Sequence, residues 1–318
     1  MRTPFERRLI FSAKPLSNSA VNTFRTELPV TGENLERIRL ILNLTITHGT
    51  GTTPVTTGAF DYIKAITLKT SKGDLLVDGV CGKALYFYNL KNDQVTPYYD
   101  DIAASSGTYK AVIDIPFHRN NLIRPEDLYY LTNYASLELS VTTGSIADLL
   151  GTPGTDTVSA TLDVVYHLTK SPLSKSEKSF PLALPYYKQL ATIPLTSLPY
   201  FQLESANDLA LSEFLILATT SNNAPFRGTA ADNITTLSMK DNVQYFIQQV
   251  PVADFIQERK RHFLTNLTGI YYHSFIKTGS IKESYPTGGK SDIKITADTF
   301  TGTTYADCLL VGFRSFRI

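Results

Sequence analysis

The segment ASLELSVTT at Ala135–Thr143 sets Leu137, Leu139 and Val141 against Glu138 and Ser140. Alternation with a period of two is the pattern of a strand with one face on a core. SDIKITADT at Ser291–Thr299 repeats it, with Ile293, Ile295 and Ala297 alternating with Lys294, Thr296 and Asp298. Both segments are wet on one side, which antiparallel sheets allow and parallel sheets rarely do. A sheet with one dry face needs a second sheet to cover it.

This pair is one of six. ILNLTIT at Ile41–Thr47 is answered by FLILATT at Phe214–Thr220, and YIKAITLKTSKG at Tyr62–Gly73 by ITTLSMKDN at Ile234–Asn242. YKAVIDIPF at Tyr109–Phe117 meets GIYYHSFIK at Gly269–Lys277, and ATLDVVYHLTK at Ala160–Lys170 meets ADCLLVGFRSF at Ala306–Phe316. In each half one stretch changes to helical spacing. GVCGKALYFYNLK at Gly79–Lys91 carries Val80, Ala84, Phe87 and Tyr88, and VADFIQERKRHF at Val252–Phe263 carries Val252, Phe255, Ile256 and Phe263. The order is kept throughout, and partners lie roughly 145 to 175 residues apart, far beyond the periods of solenoids and propellers. The chain is a duplicated domain.

Asp78 is placed to cap the first helix and Pro251 to start the second. Lys91 at one end and Lys260, Arg261 and His262 at the other suit helix C-termini. The spacers, such as THGTGTTPVTTG at Thr47–Gly58 and TTSNNAPFRGTAADN at Thr219–Asn233, read as long exposed loops. The expected fold is all-β: two tandem antiparallel jelly-roll barrels, each eight-stranded and each with a flanking helix. The expected division is an N-terminal arm at 1–22, a first barrel at 23–170, a linker at 171–185 and a second barrel at 186–318. The joint falls in the Ser-, Pro- and Lys-rich stretch Thr169–Pro185.

At 318 residues, with 42% hydrophobic and 19% charged, each half is long enough to bury its own core. The formal net charge of +1 supplies no molecule-wide field for nucleic acid, and sequence-specific nucleic-acid binding is not expected. Cys81 and Cys308 sit alone and read as buried free thiols. No apolar run approaches the roughly 18 residues of a membrane span, and the first residues lack the features of a signal peptide.

Candidate chemistry is sparse. His48, His118, His167, His262 and His273 fall in separate segments without metal-ligand spacing. No HExxH, GxSxG, Walker or GxGxxG string occurs. Neither a catalytic residue, nor a metal site, nor a cofactor is expected. The acidic pairs Asp100–Asp101 and Glu126–Asp127 read as loop residues, RPED at Arg124–Asp127 as a short helical turn, and the basic run Glu258–His262 as a solvated helix face. The N-terminal arm is different: Arg2, Phe5, Arg7, Arg8 and Phe11 combine cations with apolar groups. They are the candidate contacts to anionic lipid headgroups or to a neighbouring subunit.

Duplicated jelly rolls, a helix in each, a basic amphipathic arm and no catalytic motif resemble the double jelly-roll major capsid proteins of tailless icosahedral viruses with an internal membrane, the shorter bacteriophage members especially. The resemblance runs from about Thr23 to Phe316. It implies a non-enzymatic subunit whose homotrimers form pseudo-hexagonal capsomers and pack with neighbouring trimers into a shell. Its further partners are the internal membrane, through Met1–Phe11, and minor capsid and vertex proteins. Assembly would occur in the host cytoplasm and the mature location would be the virion. Loops Thr47–Gly58, Gly144–Asp156 and Thr219–Asn233 become candidates for exposed or intersubunit surface. Two rivals stand beside this reading. Tandem jelly rolls occur in copper enzymes, which show paired histidines and several disulfides. They also suit a carbohydrate- or receptor-binding protein, a lectin or viral spike, using Tyr98, Tyr99, Asn120 and Asn121.

Overall fold

Leu137, Leu139 and Val141 are fully buried, while Glu138, Ser140 and Thr142 between them are half-exposed. The alternation is therefore a strand face on a core. The structure, a computed structural model, describes residues 5–16, 22–29, 34–50, 54–55, 58–117, 129–130, 136–169, 183–219, 232–242, 244–263, 267–277, 283–301 and 305–315. The chain divides into two compact units, Met1–Leu182 and Ala183–Ile318.

The first unit runs β1 (Phe5–Leu16), β2 (Asn22–Pro29), β3 (Asn34–Thr47), α1 (Gly58–Tyr62), β4 (Ile63–Thr70), β5 (Leu75–Val80), α2 (Gly82–Asp93), β6 (Gly107–Pro116), β7 (Tyr129–Tyr130), β8 (Ser136–Thr143), α3 (Ala147–Leu150) and β9 (Thr157–Thr169). One sheet has the order β1-β9-β3-β6, with β7 on β3, and the other the order β5-β4-β8-β2. Every pairing is antiparallel. The second unit runs β10 (Ala183–Pro194), β11 (Tyr200–Gln202), β12 (Leu209–Thr219), β13 (Ile234–Asp241), β14 (Gln244–Pro251), α4 (Val252–His262), β15 (Ile270–Ser274), β16 (Tyr285–Pro286), β17 (Lys294–Phe300) and β18 (Tyr305–Ser315). Its sheets are β15-β12-β18-β10, with β16 on β12, and β11-β17-β13-β14.

Setting aside the two-residue strands β7 and β16, the two units have one topology among the described residues. Strands one, eight, three and six of each unit form one sheet, and strands two, seven, four and five the other. That is the strand exchange of a jelly roll. All five strand pairs matched between the halves of the sequence fall on equivalent strands: β3 with β12, β4 with β13, β6 with β15, β8 with β17 and β9 with β18. Helices α2 and α4 also occupy one position, between the fifth and sixth strands.

In the first unit Leu40, Leu42 and Leu44 of β3 and Leu162 and Val164 of β9 are no more than 1% exposed, each burial worth about 2 kcal/mol. The second core gathers Phe214, Leu310, Tyr271, Phe201, Ile295 and Met239, and α4 adds Phe255 to it. Pro251 is the N-cap of α4, just ahead of the first turn expected for it. The cap of α2 is not Asp78, which lies in β5 together with Val80. Cys81 takes that role in extended backbone, its Sγ accepting from the Ala84 N–H at 3.4 Å. Gly82 then has no room for a side chain, since a Cβ there would lie 2.6 Å from the Phe60 carbonyl oxygen. Both cysteines are buried and neither is in a disulfide.

Two segments differ from their sequence reading. From Phe5 the expected arm is strand β1, paired along its length with β9 from Phe5↔Thr169 to Leu16↔Ala160. The expected linker lies outside the described residues as far as residue 182, and its last three residues begin β10. The RPED turn and the Glu126–Asp127 pair also fall outside the described residues. In the basic run, Arg259 is buried rather than solvated, its guanidinium bonded to Asp232 at 2.9 Å and to the Ile270 carbonyl at 3.2 Å.

Candidate functional site

Strand β3 alternates cleanly from Arg37 onward, sending Ile38, Leu40 and Leu42 inward and Arg37, Arg39 and Ile41 outward. A bulge resets the phase at its start. Leu35 pairs with Leu168 and Arg37 with His167, so Glu36 is the extra residue, and bulges of this kind re-aim side chains. The result is a row of basic side chains across three strands, Arg7 of β1 opposite His167 of β9 and His167 opposite Arg37 of β3. Directly opposed residues of antiparallel strands have Cβ atoms about 5 Å apart.

The next positions lock the row in place. Arg39 donates to Asp114 of β6 through Nε and Nη2, both at 2.8 Å, and Arg37 Nη1 donates to Asp114 at 2.8 Å and to Asp93 of α2 at 2.9 Å. Asn89 of α2 donates to the Asp114 carbonyl at 2.8 Å, which seats the helix against β6. Burial alone would raise the Asp114 carboxyl, but the hydrogen bonds and charges of Arg39 and Arg37 outweigh it and hold it below the ordinary carboxylate value. His167 moves the other way for a base. Burial first, then Arg39, Arg37 and Arg7, lower it to about 4 against the partial opposition of Asp114, so the ring is neutral at neutral pH. Its Nε2 is buried and has no hydrogen-bond partner among the described residues.

These groups line an open cleft of about 250 Å³, formed by Glu6, Arg7, Glu36, Arg37, Arg39 and His167. Of the five residues expected as contacts, Phe5, Arg7, Arg8 and Phe11 all lie in β1, and Arg2 lies outside the described residues. The strand separates them. Arg7 enters the cleft, whereas Arg8 is half-buried and pairs with Glu6 at 2.7 Å. Phe11 is half-buried between two bulges, with the Lys14 ammonium 5.1 Å from its ring centre. Leu9, two positions from Arg7, is 59% exposed. Arg37, Arg39, Asp93, Asp114 and His167 escaped sequence reasoning because four separate elements bring them together. The one visible signal is the pair of arginines two apart just before the apolar run Leu40–Leu42 of β3.

A second cleft of about 230 Å³ opens on the other side of Arg39, lined among others by Asn89, Asp93, Thr96, Tyr98 and Asp114. Tyr98 is exposed and donates to Asp100 at 2.7 Å, while Tyr99 packs edge-on against Phe60. Asn120 and Asn121 fall outside the described residues. Three loops are tied together elsewhere in this unit. His48 sits 3.2 Å from Asp156 through Nδ1 and 2.9 Å from the Ala103 carbonyl through Nε2, and Asp156 also accepts from the N–H groups of Gly49 and Gly154. His273 of the second unit is enclosed by Phe214, Phe255 and Phe275, and burial lowers it to about 4. Among the described residues no three His, Cys, Asp or Glu side chains are grouped to hold a metal ion.

Two jelly rolls of one topology, each with a helix between its fifth and sixth strands, define a double jelly roll. Solved structures of that fold match nearly the whole chain. The major capsid protein of Sulfolobus Turreted Icosahedral Virus superposes with a TM-score of 0.72 at 13% identity, over 98% of this chain and 97% of that one. The major capsid protein of Bacteriophage PM2 gives 0.57 at 14% identity over 98% of each chain. A chain of the PBCV-1 virus capsid gives 0.60 at 12% identity over 98% and 94%. No protein-family model matches the chain and no curated protein is similar to it in sequence.

Proposed function

We propose that this chain is the major capsid protein of an icosahedral virus, a structural subunit rather than an enzyme, and that it needs no cofactor. It self-assembles as pseudo-hexagonal homotrimers, which pack into the virion shell around an internal membrane, with assembly in the host cytoplasm. One observation carries the reading: the likeness to a capsid subunit extends over 98% of this chain and 97% of its counterpart, so it covers both jelly rolls and not one alone. The cleft fits the same role, since guanidinium groups oriented by the Asp114 and Asp93 carboxylates recognise charged partners without needing a nucleophile. Minor capsid and vertex proteins would complete the shell.

The test is the solution mass of the purified protein by light scattering at low and moderate salt. A species near three times the 35.3 kDa chain mass, with hexagonal outlines in negative stain, is the expected result. A monomer at high concentration overturns the proposal.

The contact role of Arg2, Phe5, Arg7, Arg8 and Phe11 belongs to the same proposal, directed to the membrane or to a neighbouring subunit. Because β1 is a paired strand, deleting it would strip β9 of a partner. Charge reversal at Arg2 and Arg7 is the cleaner probe. Reduced sedimentation with anionic liposomes at unchanged oligomer mass is expected for a membrane contact, and a reduced oligomer mass for a subunit contact. No change in either measurement removes these arginines from the proposal.

A further inference from the structure

We infer that the cleft between β1, β9 and β3 is a binding site for a tetrahedral oxyanion of the phosphate class, held by Arg7, Arg39 and His167. This inference is independent of the capsid reading. The Arg7 side chain makes no hydrogen bond or ion pair with any described residue. Arg39 spends Nε and Nη2 on Asp114, which leaves Nη1 as a donor on a guanidinium already fixed in orientation. His167 is 9% exposed with an unpartnered ring nitrogen, a state that is costly without a ligand or proton to relieve it. Three donors reach one cleft from three adjacent strands.

The number of donors selects the ligand. A planar carboxylate is satisfied by the fork of one guanidinium, whereas a phosphate presents acceptor oxygens in three directions. The acidic groups nearby are already engaged: Glu6 by Arg8 at 2.7 Å, Glu36 beside Arg37 at 3.7 Å, Asp114 by both arginines of β3 and Asp93 by Arg37. With those pairs matched, Arg7 is the cation left to meet an anion, and a bound anion would draw a proton onto His167. The groups around that ring are Glu6 and Arg7 from β1, Glu36, Arg37 and Arg39 from β3, and Asp114 from β6, with Asp93 of α2 one step further out behind Arg37. Binding should therefore strengthen as the pH falls.

Calorimetric titration of the full-length protein at low ionic strength tests this, using inorganic phosphate and then sulfate, whose charge stays constant between pH 7 and 5. Saturable binding of both is expected. R7Q should weaken it about tenfold, with R7K recovering part of the loss, and H167Q should abolish the gain in sulfate affinity between pH 7 and 5. Absence of saturable binding, or affinities indifferent to R7Q and H167Q, overturns the site. Vesicles separate the sources of the phosphate. If phosphatidylcholine vesicles containing phosphatidic acid displace inorganic phosphate and pure phosphatidylcholine vesicles do not, the ligand is a lipid headgroup. If neither displaces it, the ligand is free phosphate.

Discussion

Asp114 is the residue on which the charged face of the first unit depends. Its side chain is 8% exposed and satisfies two arginines at 2.8 Å each. Removing one partner of a buried ion pair leaves the other charge uncompensated, at a cost of about 3 to 5 kcal/mol. Asp114→Ala should therefore lower the unfolding free energy from urea titration by that order, with Asp114→Asn recovering little, and a loss below about 1 kcal/mol would show Arg37 and Arg39 to be solvated. Its depressed carboxyl supplies stability above the ordinary carboxylate pKa that is lost as the pH drops through the lower folded value. His167 and His273 act at milder pH. Both stay neutral in the fold down to about 4, while an unfolded histidine takes up its proton near 6.5. Stability should thus fall as the pH drops from 7 towards 4, by about 2 kcal/mol per histidine at pH 5. Denaturation curves of His273→Phe should show a shallower pH dependence than the parent chain. An equal slope would mean that the ring is not the source.

Among the elements, the loops around Asp156 are where order is most exposed to a single change. Its side chain is fully buried, receiving His48 and the N–H groups of Gly49 and Gly154. Asp156→Ala leaves those donors unmatched, worth about 2 kcal/mol or more. The expected consequence is faster proteolysis and amide exchange in residues 48–50 and 154–156, with β3 and β9 still protected. Unchanged exchange would mean that other contacts hold these loops. Elements with regular alternation were legible in the sequence, β8 and β17 above all, as was the helix placed between two strands in each half. Strand β1 was not. FERRLIFSAKPL combines three charges before Ile10 with two bulges and a left-handed Ala13 at φ 50°, and each interruption breaks the period of two. Strand β11 is too short, at three residues, to show any period. The cap of α2 went unseen because Cys rarely serves there and an aspartate stood three residues upstream. The cleft was illegible for a further reason: it depends on register, and the bulge at Glu36 shifts that register by one.

At the scale of the whole molecule, a formal net charge of +1 leaves little self-repulsion between copies. The oligomer mass seen by light scattering should accordingly change little between low and moderate salt, and dissociation on adding salt would instead indicate an interface built on ion pairs. The pairing of β1 with β9 has a consequence for how the protein is made. Phe5 meets Thr169 and Leu16 meets Ala160, so β1 leaves the ribosome long before β9 and waits for this last strand of its own unit. At about 5 to 20 residues per second, that wait is on the order of ten seconds or more. Throughout it Leu9, Ile10 and Phe11 have no sheet to join, and the unit closes from its end rather than its beginning. For this one strand, early synthesis and late pairing go together.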